Sequence, residues 1–323
     1  MSLLTTLETV TKEIYLPTLT NNFYRGSPWL KYLTMHQLKQ DGGESIVVNL
    51  EYAAGALAVG YHKGSTPDVY VDDASSAPEF LSASHAHWVY LRAHTWVHKI
   101  DTLENAGAGQ IIDLVGARFK AIDRSLRNMM MTQLFTAAAD QDDLTSVVDI
   151  ISDTDPTYPT GGLQSIPVNP STWWKSQLAT CAAGNSDLIA KMQNVFDSCQ
   201  QDDGDVPDLI MTSQAGFEAY LAEAETKSGL LRDTGEKTAD LGFFGATFAG
   251  GTVPVVWDSH CPATKMYFLN SDYIQFQVHS QDEFASDGWE KIPNSRDMHD
   301  AIYWTGNLIC KKRSALGCLT LNP

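Results

Sequence analysis

The chain has 323 residues, 43% of them apolar and 10% aromatic, enough to fill a sizeable core and too many for a disordered chain. A formal net charge of −17 excludes capture of nucleic acid or anionic membrane by bulk attraction, so any such contact must be local. No basic stretch leads into an apolar run at the start, and no segment reaches the roughly eighteen apolar residues of a membrane span, which predicts a soluble protein made in the cytoplasm.

Residues 1 to about 45 hold no sustained period of 3.6 or 2 and read as an arm with one or two short helices. "ESIVVNLEYA", announced by Gly42 and Gly43, is β-rich. Gly, Ser, Pro and Asp then crowd into "GALAVGYHKGSTPDVYVDDASSAPEF", which predicts a long excursion from about 53 to 82, a protruding hairpin flanked by two pairing strands. Strand character resumes in "SASHAHWVYLRAHTWVHKI", whose alternation puts His85, His87, Val89 and Leu91 on one side and Trp88, Tyr90 and Arg92 on the other.

Apolar positions Ile111, Val115, Phe119, Ile122, Leu126, Met129 or Met130 and Leu134 recur at spacings of three and four and predict a helix from near 107 to 138. Asp101 and Glu104, spaced like a capping box, precede it, and its length would be roughly 45 Å. The polar, Asp- and Pro-rich stretch from 140 to 170 predicts a boundary or surface loop. Beyond it come a helix ("SDLIAKMQNVFDSCQ"), a strand ("PDLIMTS"), a second helix ("QAGFEAYLAEAE") and an exposed loop ("KSGLLRDTGEKTADLG"). "VPVVW", "KMYFLN", "DYIQFQVHS" and the closing "AIYWTGNLICKKRSALGCLTLNP" are strand-like, so this half is an α+β or α/β module.

Four features could carry chemistry. Asp258, Ser259, His260 and Cys261 place an acid, a hydroxyl, a base and a thiol in succession, but sequence neighbours rarely reach the geometry nucleophilic catalysis needs, and a polar connection between two strands is the simpler reading. His85, His87, His94 and His98 share one β-rich region, yet no carboxylate or cysteine follows at a spacing that completes a metal site. Five scattered cysteines, Cys181, Cys199, Cys261, Cys310 and Cys318, have no C-x-x-C pair and predict buried, reduced thiols. Basic residues gather at Arg118, Lys120, Arg124 and Arg127 and again at Lys311, Lys312 and Arg313, where ordinary surface charge and a role at subunit contacts or against a polyanion both remain open. The G-x-S-x-G, H-E-x-x-H, Walker and G-x-G-x-x-G patterns are absent, which removes the commonest hydrolase, protease and nucleotide-binding readings.

Taken in order, arm, strand, extended loop, strand, long helix and α/β module, the chain resembles the major capsid proteins of tailed bacteriophages, the Hong Kong 97-type fold. The matching residues are Gly251, Val253, Pro254, Val255, Val256, Leu269 and Asn270 around the module's strands, and "GNLICKKRSALGCLTL" at the close. The resemblance implies an α+β fold with an N-arm at 1–45 and strands over 46–100 flanking an extended E-loop at about 50–84. It further implies a peripheral domain at 101–184, with a spine helix at about 107–138 and completed by 286–323, and an axial domain at 185–285.

The implied function is structural: self-assembly, as hexamers and pentamers, into an icosahedral head enclosing double-stranded DNA, with no catalytic residues, no metal and no cofactor. Tyr61, Lys63, Arg118, Arg124, Arg127, Lys311, Lys312 and Arg313 would lie at inter-subunit contacts. Scaffold, portal and decoration proteins and packaged DNA would be partners, a membrane would not, and the mature location would be the virion. Two alternatives stay open on the sequence: an encapsulin-like nanocompartment shell, and a soluble metal-dependent hydrolase built on the four histidines.

Overall fold

The computed structural model describes residues 27–52, 81–104, 114–169, 171–200, 205–228, 246–248, 253–286 and 288–323. Most of the expected arm, nearly all of the expected excursion with Tyr61 and Lys63, and the loop after the second module helix lie outside the described residues. The described elements run α1 (Pro28–Met35), β1 (Leu38–Gln40), β2 (Ile46–Glu51), β3 (Leu81–Ala86), β4 (Val89–Val97), α2 (Lys99–Glu104), α3 (Leu114–Leu134), α4 (Val147–Ile150), β5 (Gln177–Thr180) and α5 (Leu188–Cys199). They continue β6 (Leu209–Thr212), α6 (Gln214–Ser228), β7 (Ala246–Phe248), β8 (Val253–Trp257), β9 (Lys265–Leu269), β10 (Ile274–Ser286), β11 (Glu290–Lys291), β12 (Met298–Cys310) and β13 (Gly317–Thr320). Two compact units emerge. Leu91–Met129 and Asp282–Trp304 belong to the first, and Ser27–Tyr90, Met130–Gln281 and Thr305–Pro323 form the second.

The second unit is organised by a six-stranded mixed sheet in the order β5-β13-β9-β6-β8-β7. Its central strands are short and apolar because they are covered on both faces: all four residues of β6 and four of the five in β9 are buried. Ile210 and Phe268, paired in register, share one core with Leu188, Met192, Val195 and Phe196 of α5. That helix presses on β13 where the chain has Gly317, and a Cβ there would stand 2.5 Å from Val195 Cγ1 and 2.9 Å from Cys199 Sγ. All five cysteines are free and buried, and burial pushes the Cys199 and Cys310 thiols up to about 12.

A two-stranded sheet sits in the same unit, with β2 antiparallel to β3 from Ile46 opposite Ala86 to Glu51 opposite Leu81, as the pairing across the excursion predicts. The continuous strand expected over the histidines is instead broken at His87 and Trp88, between β3 and β4. The His87 carbonyl is taken by Asn307 Nδ2 at 2.9 Å, and Trp88 Nε1 donates to the Gly43 carbonyl at 2.9 Å, so tertiary partners replace the ladder. Trp88 is consequently buried and His85 exposed, the reverse of the expected sides, whereas Val89 and Leu91 point in and Tyr90 and Arg92 out as alternation requires.

The stretch from 140 to 170 is a surface loop only in part: Asp140 to Asp142 and Asp153 to Asp155 are exposed, while the segments that follow each of them turn inward. Leu144, Val147, Ile150, Leu163 and Gln164 are buried, and the carbonyls of Asp149, Ile150, Ser152 and Trp174 all accept from Arg313 at 2.7 to 3.2 Å. Thr145, Ser146, Asp149 and Gln164 are buried polar residues of this stretch, which composition alone reads as solvent exposure.

In the first unit, α2 takes in Asp101 and Glu104, so these belong to a helix of their own rather than to a cap on the long one. The long helix α3 ends at Leu134, short of the expected 138, despite the favourable run of alanines that follows. The chain first tightens, with Phe135 N on the Thr132 carbonyl and Thr136 N on the Gln133 carbonyl, and two carboxylates then keep the alanines out of the helix: Ala138 N donates to Asp149 Oδ2 at 2.9 Å and Ala139 N to Asp143 Oδ2 at 3.0 Å. The described helix of 21 residues is about 31 Å long at 1.5 Å per residue.

Candidate functional site

Asp258 to Cys261 lie in the connection that leaves β8, passes the position of β6 in the sheet order and enters β9. The Asp258 carboxylate is buried and fully used: one oxygen accepts from the Ser27 hydroxyl, the other from His260 N at 2.9 Å and from His260 Nδ1 at 3.1 Å. Ser259 Oγ meets that same Nδ1, at 3.4 Å. In a working triad the acid holds one ring nitrogen and the nucleophile addresses the other, so this arrangement cannot relay a proton from Ser259 through His260. Burial pushes the Cys261 thiol well above its ordinary pKa, with the Asp258 charge adding to the shift, so the thiol is no nucleophile either. The segment is a hydrogen-bonded turn.

The four histidines do not converge. His85 and His94 are exposed, His98 pairs through Nδ1 with Asp297 at 3.0 Å, and His87 stands edge-on to the Tyr158 ring at 5.5 Å. Burial lowers the His87 pKa, which keeps it neutral at physiological pH. No group of three His, Cys, Asp or Glu among the described residues could hold a metal ion, and the metal-dependent hydrolase loses its site.

The basic residues divide sharply. Arg118 spans the first unit, donating to the Trp96 carbonyl at 2.8 Å and lying 3.7 Å from Asp101. Arg127 pairs with Asp123 at 3.0 Å and covers the Phe284 ring at 4.0 Å, a cation–π contact. Arg124, half-buried on the same helix, makes no ion pair among the described residues. At the other cluster Lys312 donates to buried Asp205 at 2.5 Å, and Arg313 is itself fully buried, with its guanidinium spent on backbone carbonyls. Arg313 is therefore an interior strut of one chain and presents no surface to another.

Two surfaces escaped the sequence reading. One is apolar and lies in the first unit: Trp96 is 50% exposed, Ile100 68% and Leu103 61%. Ile100 and Leu103 fall three apart on α2, a spacing that makes them neighbours on one helix face, yet six residues were too few to show a period. The other is a cleft of about 720 Å³ in the second unit, bordered by Tyr52, Trp173, Lys175 and Lys311. The Tyr52 and Trp173 rings stack there at 5.2 Å. Its residues come from positions 49–52, 172–177, 273 and 311–314, far apart in the chain, so no local pattern announces it.

No helix among the described residues is long and apolar enough to cross a membrane. No family model matches the chain, and no curated protein matches it in sequence. Solved structures do match. The cyanophage A-1(L) capsid asymmetric unit superposes with a TM-score of 0.72 at 18% identity, covering 98% of this chain and 98% of that one. The capsid of the native GTA particle gives 0.61 at 10% identity over 98% and 99%, and the capsid of Myoviridae phage XM1 gives 0.58 at 12% identity over 99% and 98%. Almost end to end, the chain has the mixed helix-and-sheet fold of these capsid subunits.

Proposed function

We propose that this protein is a structural major capsid protein that self-associates into the icosahedral head of a tailed phage and catalyses no reaction. The observation that carries the reading is the near-complete coverage of both chains in the capsid superpositions, so the likeness extends over the whole fold and not over one shared module. The exposed Trp96, Ile100 and Leu103 support it, because apolar side chains held out of a unit's own core are covered when copies meet. Interfaces of about 1,600 Å² each would suffice to hold such a shell.

In its finer form the proposal assigns the Hong Kong 97-type division: an N-arm at 1–45, an E-loop at about 50–84, α3 as the spine helix of a peripheral domain, and an axial domain at 185–285. Hexamers and pentamers of the chain are its principal assemblies. Scaffold, portal and decoration proteins would engage it, packaged double-stranded DNA would touch it without sequence preference, and it would be made in the host cytoplasm before entering the virion. Arg118, Arg124 and Arg127, with Lys311 and Lys312, offset repulsion between copies that each carry −17.

Electron microscopy and sedimentation of the overexpressed chain test this directly. Closed particles of uniform size are expected. Reversing Arg124 and Arg127 to Glu should lower particle yield while the circular dichroism spectrum stays that of the parent. A chain that remains monomeric at every concentration and salt overturns the assignment, and unchanged yield in the variant removes the arginines from it.

A further inference from the structure

The cleft of about 720 Å³ in the second unit reverses the charge of the molecule around it. The chain carries 39 acidic residues against 22 basic ones, yet four cations border the cleft, Lys175, Lys311, Lys312 and Arg313, and one carboxylate, Glu51. Two of the cations are committed, Lys312 to Asp205 and Arg313 to buried carbonyls. Lys175 and Lys311 are half-buried, and their ammonium groups make no hydrogen bond or ion pair among the described residues. Withdrawing a cation partly from water costs free energy, which a bound anion offsets.

Both lysines stand on fixed backbone. Lys311 N donates to the Tyr273 carbonyl at 2.8 Å, and Lys175 lies between buried Trp174 and buried Ser176, whose hydroxyl donates to the Ile150 carbonyl at 3.0 Å. Arg313, two positions past Lys311, donates to the Trp174 carbonyl at 3.2 Å and so ties the two lysine-bearing segments together within one chain. Such preorganisation lowers the ordering cost of binding.

Aromatic rings line the cleft as well. Tyr52 and Trp173 are half-buried and stack at 5.2 Å with 15° between their planes, so a planar ring has a stack to extend. Lysines bind phosphate as point charges, and about 720 Å³ is far more than a lone phosphate fills but falls in the range of small-ligand sites. We propose that the cleft binds a nucleotide, its phosphate on Lys175 and Lys311 and its base on the Tyr52–Trp173 stack, taken either free or as an unpaired nucleotide of a strand. One chain builds the whole site, so the inference does not rest on the shell reading. The paired bases of a duplex are closed to such a stack, and a carboxylate peptide would use the lysines alone.

Equilibrium dialysis of the full-length protein against labelled deoxyadenosine monophosphate tests it. Saturable binding at one site per chain is expected, displaced by excess inorganic phosphate and about tenfold or more tighter than binding of deoxyadenosine. Lys175→Gln with Lys311→Gln should weaken it about tenfold or more, and Trp173→Leu about fivefold or more, with circular dichroism unchanged. If either variant fails to fold, the phosphate and deoxyadenosine comparisons on the parent protein decide. A single-stranded oligodeoxyadenylate separates the two sources: binding far tighter than that of the monophosphate assigns the cleft to a strand, and equal binding per site assigns it to the free nucleotide. The proposal is overturned by no saturable binding of either, or by binding indifferent to phosphate, to the lysine pair or to Trp173. Preference for duplex over single strand, or displacement by oligoaspartate as readily as by phosphate, overturns it equally.

Discussion

The surroundings of Arg313 and the stretch from Trp96 to Leu103 handle unfavourable chemistry in opposite ways. Arg313 is a fully buried cation, and burial lowers its pKa, yet four carbonyls within 3.2 Å and nearby Asp149 and Asp155 make the interior tolerate its charge. Asp149, whose own pKa burial raises, is steadied by Ala138 N and the Ser146 hydroxyl. Everything needed to satisfy this region comes from the same chain. Between Trp96 and Leu103, by contrast, three large apolar side chains, Trp96, Ile100 and Leu103, stand half exposed or more. The first region is complete within the chain; the second leaves apolar surface in water, which association of copies would cover on the proposed reading.

The largest effect expected is at the complete region. Replacing Arg313 by Met keeps an unbranched stem but strands carbonyls of Asp149, Ile150, Ser152 and Trp174 in the interior, and should cost about 3 to 5 kcal/mol of subunit stability. Urea unfolding of the dispersed chain measures it, and a loss under about 1 kcal/mol would erase the contrast. The incomplete region should respond the other way round. Ile100→Asp with Leu103→Asp alters two exposed positions, so the dispersed subunit should keep its stability to within about 0.5 kcal/mol while sedimentation shows particle yield collapsing. A variant that unfolds instead would mean that these side chains serve their own subunit.

How much of this was legible follows from where each signal is stored. The module's helices and strands, α5, β6, α6, β8 and β9, carry their periods within a few residues and were readable directly. The end of α3 was not, because Asp143 and Asp149 stop it from outside its own sequence. The break at His87 has the same origin in Asn307, 220 positions away. Arg313 looked like surface charge because "KKR" gives no hint that its third member turns inward while Lys312 finds Asp205. The cleft was invisible for a similar reason, since Lys175 and Lys311 meet beside β2 only after folding. Local period is written in the sequence; satisfaction of polar groups at a distance is not.

The smallest effect should come from the stretch that looks most like chemistry. Ser259→Ala with His260→Ala removes a hydroxyl whose hydrogen bond, at 3.4 Å, is near the outer limit, and an imidazole that contacts Asp258 from a partly exposed position. The bonds that hold the turn survive both changes: Asp258 keeps the Ser27 hydroxyl and the backbone N–H of residue 260, and its own amide still donates to the Thr212 carbonyl at 2.9 Å. Stability should therefore fall by less than about 1 kcal/mol, with particle yield unchanged. Asp258→Ala, in the same unfolding and sedimentation measurements, should do more damage than the double variant, because it leaves Ser27 and the turn's amide without their shared buried acceptor. If instead the double variant proved the more harmful, His260 rather than Asp258 would be the residue that organises the connection between β8 and β9.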